Sequence, residues 1–121
     1  MRVYDSELKV LEALWDNGNM TATQLVKLLK EQTGWSRTTT YTVIKKLIDK
    51  GAVQRYGTDF TCKALITKDQ VQQYEAGELV EKLFDGSGSA FLAAFLSGKE
   101  ISPDEAARLK AIVDGLQEVQ A

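Results

Sequence analysis

The chain contains no histidine, which removes the commonest general base and the commonest metal ligand. Its one cysteine, Cys62, rules out an intramolecular disulfide and leaves no cluster of metal-ligand spacing. There is no phosphate loop of the G-x-x-x-x-G-K-S/T type, and Cys62 lacks a histidine to activate it. An enzyme, a metal site and a cofactor are therefore not expected. No apolar run approaches the roughly 18 residues that span a bilayer. Met1 to Asp5 lacks the charged-then-apolar pattern of a signal peptide. The expected compartment is the cytoplasm, with no membrane partner.

What is present is enough for a core. The chain has 121 residues, 44% of them hydrophobic, which fits one ordinary domain or a small domain with an oligomerisation element. The net charge of −2 divides unevenly. Residues 1–66 hold 10 Lys/Arg and 7 Asp/Glu, a balance of +3, whereas residues 67–121 hold 5 and 10, a balance of −5. One half is suited to a polyanion and the other is not. Residues 36–56 concentrate the positive charge in Arg37, Lys45, Lys46, Lys50 and Arg55, against Asp49 alone.

Periodicity predicts a first helix capped by Asp5 or Ser6, with Leu8, Leu11, Leu14 and Trp15 on its buried face and Asn17-Gly18 at its end. Thr21 and Gln24 form a capping box for a second helix with a stripe of Leu25, Leu28 and Leu29, ended by Gly34. A third helix runs from Ser36 to Lys50-Gly51. The pattern then alternates, predicting strands over Ala52–Tyr56 and Asp59–Ile66 joined by a tight turn at Gly57-Thr58. Three helices and a hairpin are the winged form of helix-turn-helix.

The remainder is helical. Thr67 and Gln70 box a helix that runs to about Phe84, with Val71, Tyr74, Val80, Leu83 and Phe84 apolar. Gly86-Ser87-Gly88 breaks the pattern before a short amphipathic helix carrying Phe91, Leu92, Phe95 and Leu96. Ser102, Pro103 and Glu105 supply the cap, first-turn proline and capping-box glutamate of a last helix striped by Leu109, Ile112, Val113 and Leu116. The predicted fold is mainly α with a small β-hairpin. A winged helix-turn-helix over 1–66 precedes a helical dimerisation region over 67–121. Short helices do not easily bury two-sided stripes alone, so Tyr74, Leu83, Phe84, Phe91, Leu92, Phe95, Leu96, Leu109, Ile112 and Val113 are the predicted contacts with a second copy, packing back on the N-terminal half being the alternative.

The third helix, turned at about 100° per residue, places Thr40, Val43, Ile44, Leu47 and Ile48 on one arc. Thr38, Thr42, Lys45, Lys46 and Asp49 lie opposite, with Thr39 and Tyr41 flanking. An outward surface of hydroxyls followed by lysines suits a major groove. Threonine bonds a base or phosphate and packs its methyl on thymine, while lysines neutralise phosphates and release counterions. The candidate contacts with double-stranded DNA are Arg37, Thr38, Thr39, Tyr41, Thr42, Lys45 and Lys46, with Arg55 on the wing. A winged helix used only as a protein-interaction module is the competing expectation.

The chain also resembles the penicillinase-repressor family, the BlaI/MecI/CopY group of bacterial repressors. The resemblance is carried by Asp5-Ser6-Glu7 through Leu14-Trp15, by Trp35-Ser36 with Thr39, Thr42 and Leu47 ahead of Lys50-Gly51, and by Phe60. Tyr74, Glu78, Phe84 with Gly86-Ser87, and Ile101-Ser102 with Asp104-Glu105 continue it. It implies a homodimeric repressor on a palindromic operator, commonly with TACA and TGTA half-sites. Thr39 and Thr42 match the family's recognition-helix threonines, and Lys46 stands where arginine is usual, losing the bidentate fork. Arg37 and Tyr41 are atypical, and the wing is short for the family. Copper-responsive members carry a C-terminal Cys-x-Cys motif that this chain lacks. Members released by a signalling protease are cut at an Asn-Phe bond. The matching pair here is Ala94-Phe95, without the asparagine. The inducer is unnamed by any residue.

Overall fold

The Tyr4 backbone N–H donates to Glu7 Oε1 at 2.9 Å, and this bond starts the first helix. Helix α1 spans Asp5–Asn17. Tyr4, not Asp5 or Ser6, occupies the cap position, because the glutamate three residues on satisfies its N–H. The structure is a computed structural model and describes the backbone of residues 1–120 and the side chains of 1–116. The last five residues of the predicted dimerisation region, 117–121, lie outside the described side chains.

Strand β1 is Met20–Thr21, α2 is Ala22–Thr33, α3 is Arg37–Asp49, β2 is Val53–Tyr56 and β3 is Thr61–Ala64. Both halves of the Thr21–Gln24 capping box form, at 2.9 and 3.1 Å. Gly34 closes α2 in the left-handed region at φ 79°, where a Cβ would be strained. Ser36 Oγ accepts from the Thr39 N–H at 3.2 Å and opens α3.

The sheet holds more than the predicted hairpin. β3 is central, antiparallel to β2 on one side and to β1 on the other, in the order β1-β3-β2. Two residues are too short to show an alternation, so β1 carries no signal in sequence. The strands are shorter than predicted and the connection longer. Gly57 to Phe60 form the turn, with Gly57 at φ 75° and Phe60 at φ 54°. Phe60 therefore lies in the turn rather than in the strand predicted from Asp59.

The core gathers Val10, Leu11 and Leu14 of α1, Leu25 and Leu29 of α2, Val43, Ile44 and Leu47 of α3, and Val53 and Cys62 of the sheet. The chain divides into two compact units, Met1–Glu78 and a second beginning at Leu79. In the first unit, Trp15 Nε1–H donates to the Ile66 carbonyl at 2.9 Å, and the Val3 N–H to Glu75 Oε1 at 3.0 Å. Helix α4 is Lys68–Phe84, α5 is Gly88–Leu96 and α6 is Pro103–Gln120. The Thr67–Gln70 box forms in full. At α6 only half of the expected box forms. Ser102 Oγ accepts from the Glu105 N–H at 3.1 Å, but the Glu105 carboxylate pairs with Arg108 at 2.7 Å. Among the described residues no helix is long and apolar enough to cross a membrane.

Cys62 lies on the central strand opposite Met20 and Arg55 and is fully buried. Burial pushes its thiol up from 9.0 to about 11, and the Arg55 charge opposes that rise. The folded chain thus holds this proton where the unfolded chain releases it. The contribution to stability is whole below pH 9.0 and is lost as pH rises through about 11. Alkylation at about pH 8 is expected to be slow in the native chain and fast in denaturant. Relative to Cys62→Ala, the unmodified chain should lose on the order of 2 kcal/mol across that window in denaturant titrations.

Candidate functional site

The face of α3 opposite the core is open. Thr40, Val43, Ile44 and Leu47 are buried and Ile48 is half-buried, whereas Arg37, Thr38, Thr39, Thr42, Lys45, Lys46 and Asp49 are exposed. The aliphatic arc anchors the helix, and so dictates which side chains stand in solvent. Thr40 faces inward with its Oγ1 unpartnered, and its methyl completes the buried arc.

The cations of this face are unpaired. The ion pairs among the described residues are Lys50 with Glu7 and Arg108 with Glu105, so Lys45 and Lys46 project without a carboxylate. Exposed lysines without acid partners keep their full field for an external anion. Thr42 Oγ1–H donates back to the Thr38 carbonyl at 2.9 Å. Ser36 Oγ–H donates to Thr39 Oγ1 at 3.1 Å.

Between α3 and the wing lies a groove of about 670 Å³, walled by Arg37, Tyr41, Lys45, Asp49, Arg55 and Phe60 among others. Tyr41 is half-buried and meets Phe60 edge to face, with ring centroids 5.7 Å apart at 87°. The Arg37 guanidinium stands 5.1 Å over the Tyr41 ring, and that of Arg55 3.8 Å over Phe60. The structure therefore brings all eight residues predicted for DNA contact to α3 and the adjacent wing. Tyr41 is the one that is half packed rather than free.

Sequence reasoning assigned no role at this site to three residues that shape it. Glu7 is 2% exposed and takes the Lys50 ammonium at 2.7 Å, fixing the end of α3 to the start of α1. Phe60 anchors the turn of the wing. Asn19 Nδ2–H donates to the Tyr56 hydroxyl at 2.9 Å, tying the wing to the segment before α2. The Glu7–Lys50, Asn19–Tyr56 and Phe60–Tyr41 pairings have no local sequence signal, since those partners are far apart in the chain.

A model of the penicillinase repressor family matches residues 4–115. The chain belongs to the penicillinase repressor family. The penicillinase repressor of Bacillus licheniformis is 23% identical over 115 residues, covering 93% of this chain and 90% of that protein. The methicillin resistance regulatory protein MecI of Staphylococcus aureus strain N315 is 21% identical over 114 residues, covering 93% of each. The solution structure of the DNA-binding domain of the repressor BlaI superposes with a TM-score of 0.53 at 25% identity, over 57% of this chain and 87% of that one. The monomeric form of Bacillus licheniformis BlaI, solved in complex with the blaP half-operator, gives 0.51 at 26% identity, over 58% and 88%. The winged-helix fold predicted from periodicity is the fold of these penicillinase-repressor structures.

The other residues singled out in this family member lie on the later helices. Tyr74 is exposed on the part of α4 that belongs to the first unit. In the second unit Leu83, Phe95, Ile112 and Val113 are exposed, while Phe84, Phe91, Leu92, Leu96 and Leu109 are half-buried. Phe91 meets Phe84 edge to face at 5.6 Å and stacks with Phe95 at 5.9 Å. Helix α5 buries none of its residues.

Proposed function

We propose that this chain is a DNA-binding transcriptional repressor acting as a homodimer on a palindromic operator in the cytoplasm. Residues 1–66 read the duplex and residues 67–121 pair the two copies. One observation carries the reading: α3 turns Thr38, Thr42, Lys45 and Lys46 outward from a buried aliphatic arc, with no acid partner for the lysines among the described residues. A helix so presented enters a major groove with its first turns at the base edges and its lysines at phosphates. The half-operator bound by BlaI, a protein of similar fold and family, supports the same ligand for this chain. No catalytic role is assigned.

A mobility shift on the chain's own upstream region, at two salt concentrations, tests this. Specific retention with a steep salt slope is expected. Weak, sequence-blind retention would favour a protein-interaction module. Thr42→Ala should cost ~1–3 kcal/mol on the preferred operator and less on random duplex. Equal losses on both would remove Thr42 from base reading.

The pairing has its own support. Phe95 is 50% exposed, Leu83 64% and Ile112 61%, a larger apolar display than a lone subunit usually leaves to water. A second copy with the same surface would cover it on a two-fold axis. Phe95→Asp should yield monomers in sedimentation, because a charge buried without a partner is costly. An intact dimer would place Phe95 outside the contact.

A further inference from the structure

We propose that Phe60 is a positioning residue for DNA binding, its ring holding the Arg55 guanidinium at the groove between α3 and the wing. The inference rests on the DNA-binding reading above and adds to it a residue that touches no base or phosphate.

Phe60 is held from three directions. Its carbonyl accepts from the Ala22 N–H at 2.9 Å, at the first turn of α2. Its ring meets that of Tyr41 from α3 edge to face and lies under the guanidinium of Arg55 from β2. Its backbone sits at φ 54°, which a bulky residue adopts only when its surroundings over-determine it. Helix start, recognition helix and wing thus converge on one aromatic side chain.

The convergence matters most for Arg55. This residue is exposed, and no carboxylate pairs with it among the described residues. A free arginine loses rotamer freedom when a ligand fixes it. At 3.8 Å over the Phe60 ring the guanidinium is already placed. A guanidinium that stacks on a ring uses its π face and leaves its in-plane N–H donors for a phosphate. Arg37 lies farther out, 5.1 Å over the Tyr41 ring, and donates to its hydroxyl at 3.4 Å. Cation, ring, ring and cation form one continuous wall, with Phe60 joining its two halves.

The test measures binding of Phe60→Leu, Arg55→Gln and the double variant to operator and unrelated duplex across a salt series. Phe60→Leu should weaken binding about as much as Arg55→Gln does, roughly tenfold. It should flatten the salt slope by about 0.9, the share of one phosphate. The double variant should bind no worse than Arg55→Gln alone, and Phe60→Tyr, which keeps a ring, should restore affinity. Multiplying losses, or an unchanged salt slope in Phe60→Leu, would overturn the proposal. Should Phe60→Leu fail to fold, the side-chain Nε–H of Arg55 in the unmodified free chain decides. An ordered signal shifted by the ring current is expected, and a freely rotating one refutes the role. Absence of salt-dependent binding by the unmodified chain would sink the DNA reading itself, a result distinct from all of these.

Discussion

Lys45→Ala combined with Lys46→Ala is expected to weaken binding to duplex DNA by on the order of tenfold to a hundredfold, whatever the sequence. Both ammonium groups are exposed on α3 and neither is committed to a carboxylate within the described chain. Both are therefore available to an external anion. Removing one lysine from a phosphate should reduce the slope of log affinity against log salt by about 0.9, so the pair should flatten it by nearly two. The weakening should be equal on operator and on unrelated duplex, since phosphates carry no base identity. Stability should barely change, because exposed unpaired lysines contribute little to folding. Fluorescence anisotropy across a salt series, beside a thermal melt, checks both statements. A slope that stays put would take these lysines off the backbone.

Glu7→Ala should have the largest effect on stability, a loss of about 3 kcal/mol. Glu7 Oε1 receives the Lys50 ammonium at 2.7 Å and the Tyr4 N–H at 2.9 Å. Alanine removes the acceptor of both bonds and leaves a void at a site 2% exposed. Lys50 also donates to the Arg2 carbonyl at 3.0 Å and lies 5.2 Å over the Tyr4 ring, so the segment before α1 loosens with it. The Lys50 side chain keeps 26% exposure and regains some water, which holds the cost near the lower end for a broken buried pair. In a unit of this size the melting temperature should fall by ~10–20 °C. Glu7→Gln keeps an acceptor for Tyr4 and should lose less. Chemical denaturation of the two variants, with Lys50→Met to close the cycle, measures the coupling. A loss under about 1 kcal/mol for Glu7→Ala would mean that the pair is effectively solvated.

Signals in the sequence are legible where the physics is local. The Thr21–Gln24 and Thr67–Gln70 boxes form because every partner lies within three residues. The inward and outward arcs of α3 follow from helical period alone, and Ile48 is the only member of the inward arc that is not fully buried. What stays hidden depends on distant partners. β1 exists only because Met20 and Thr21 find Cys62 and Thr61. The Glu7–Lys50 pair joins residues 43 positions apart, and Glu7 reads in sequence as an ordinary first-turn acid. The backbone of Phe60 could not be foreseen, since aromatic residues favour strands and seldom adopt positive φ. The Glu105 carboxylate had two local partners within reach, and Arg108 won it from the Ser102 backbone.

On the proposed DNA-binding role, the rotamer of Thr42 bears on which bases the helix would tolerate. Its hydroxyl proton is committed to the Thr38 carbonyl, so in this arrangement only oxygen lone pairs remain to face a ligand. In a major groove such a group is satisfied by the exocyclic amines of adenine and cytosine and repelled by the keto oxygens of guanine and thymine. The second turn of α3 thereby acquires a polarity of its own. An internal hydrogen bond within one helix sets the sign of what the outside may offer.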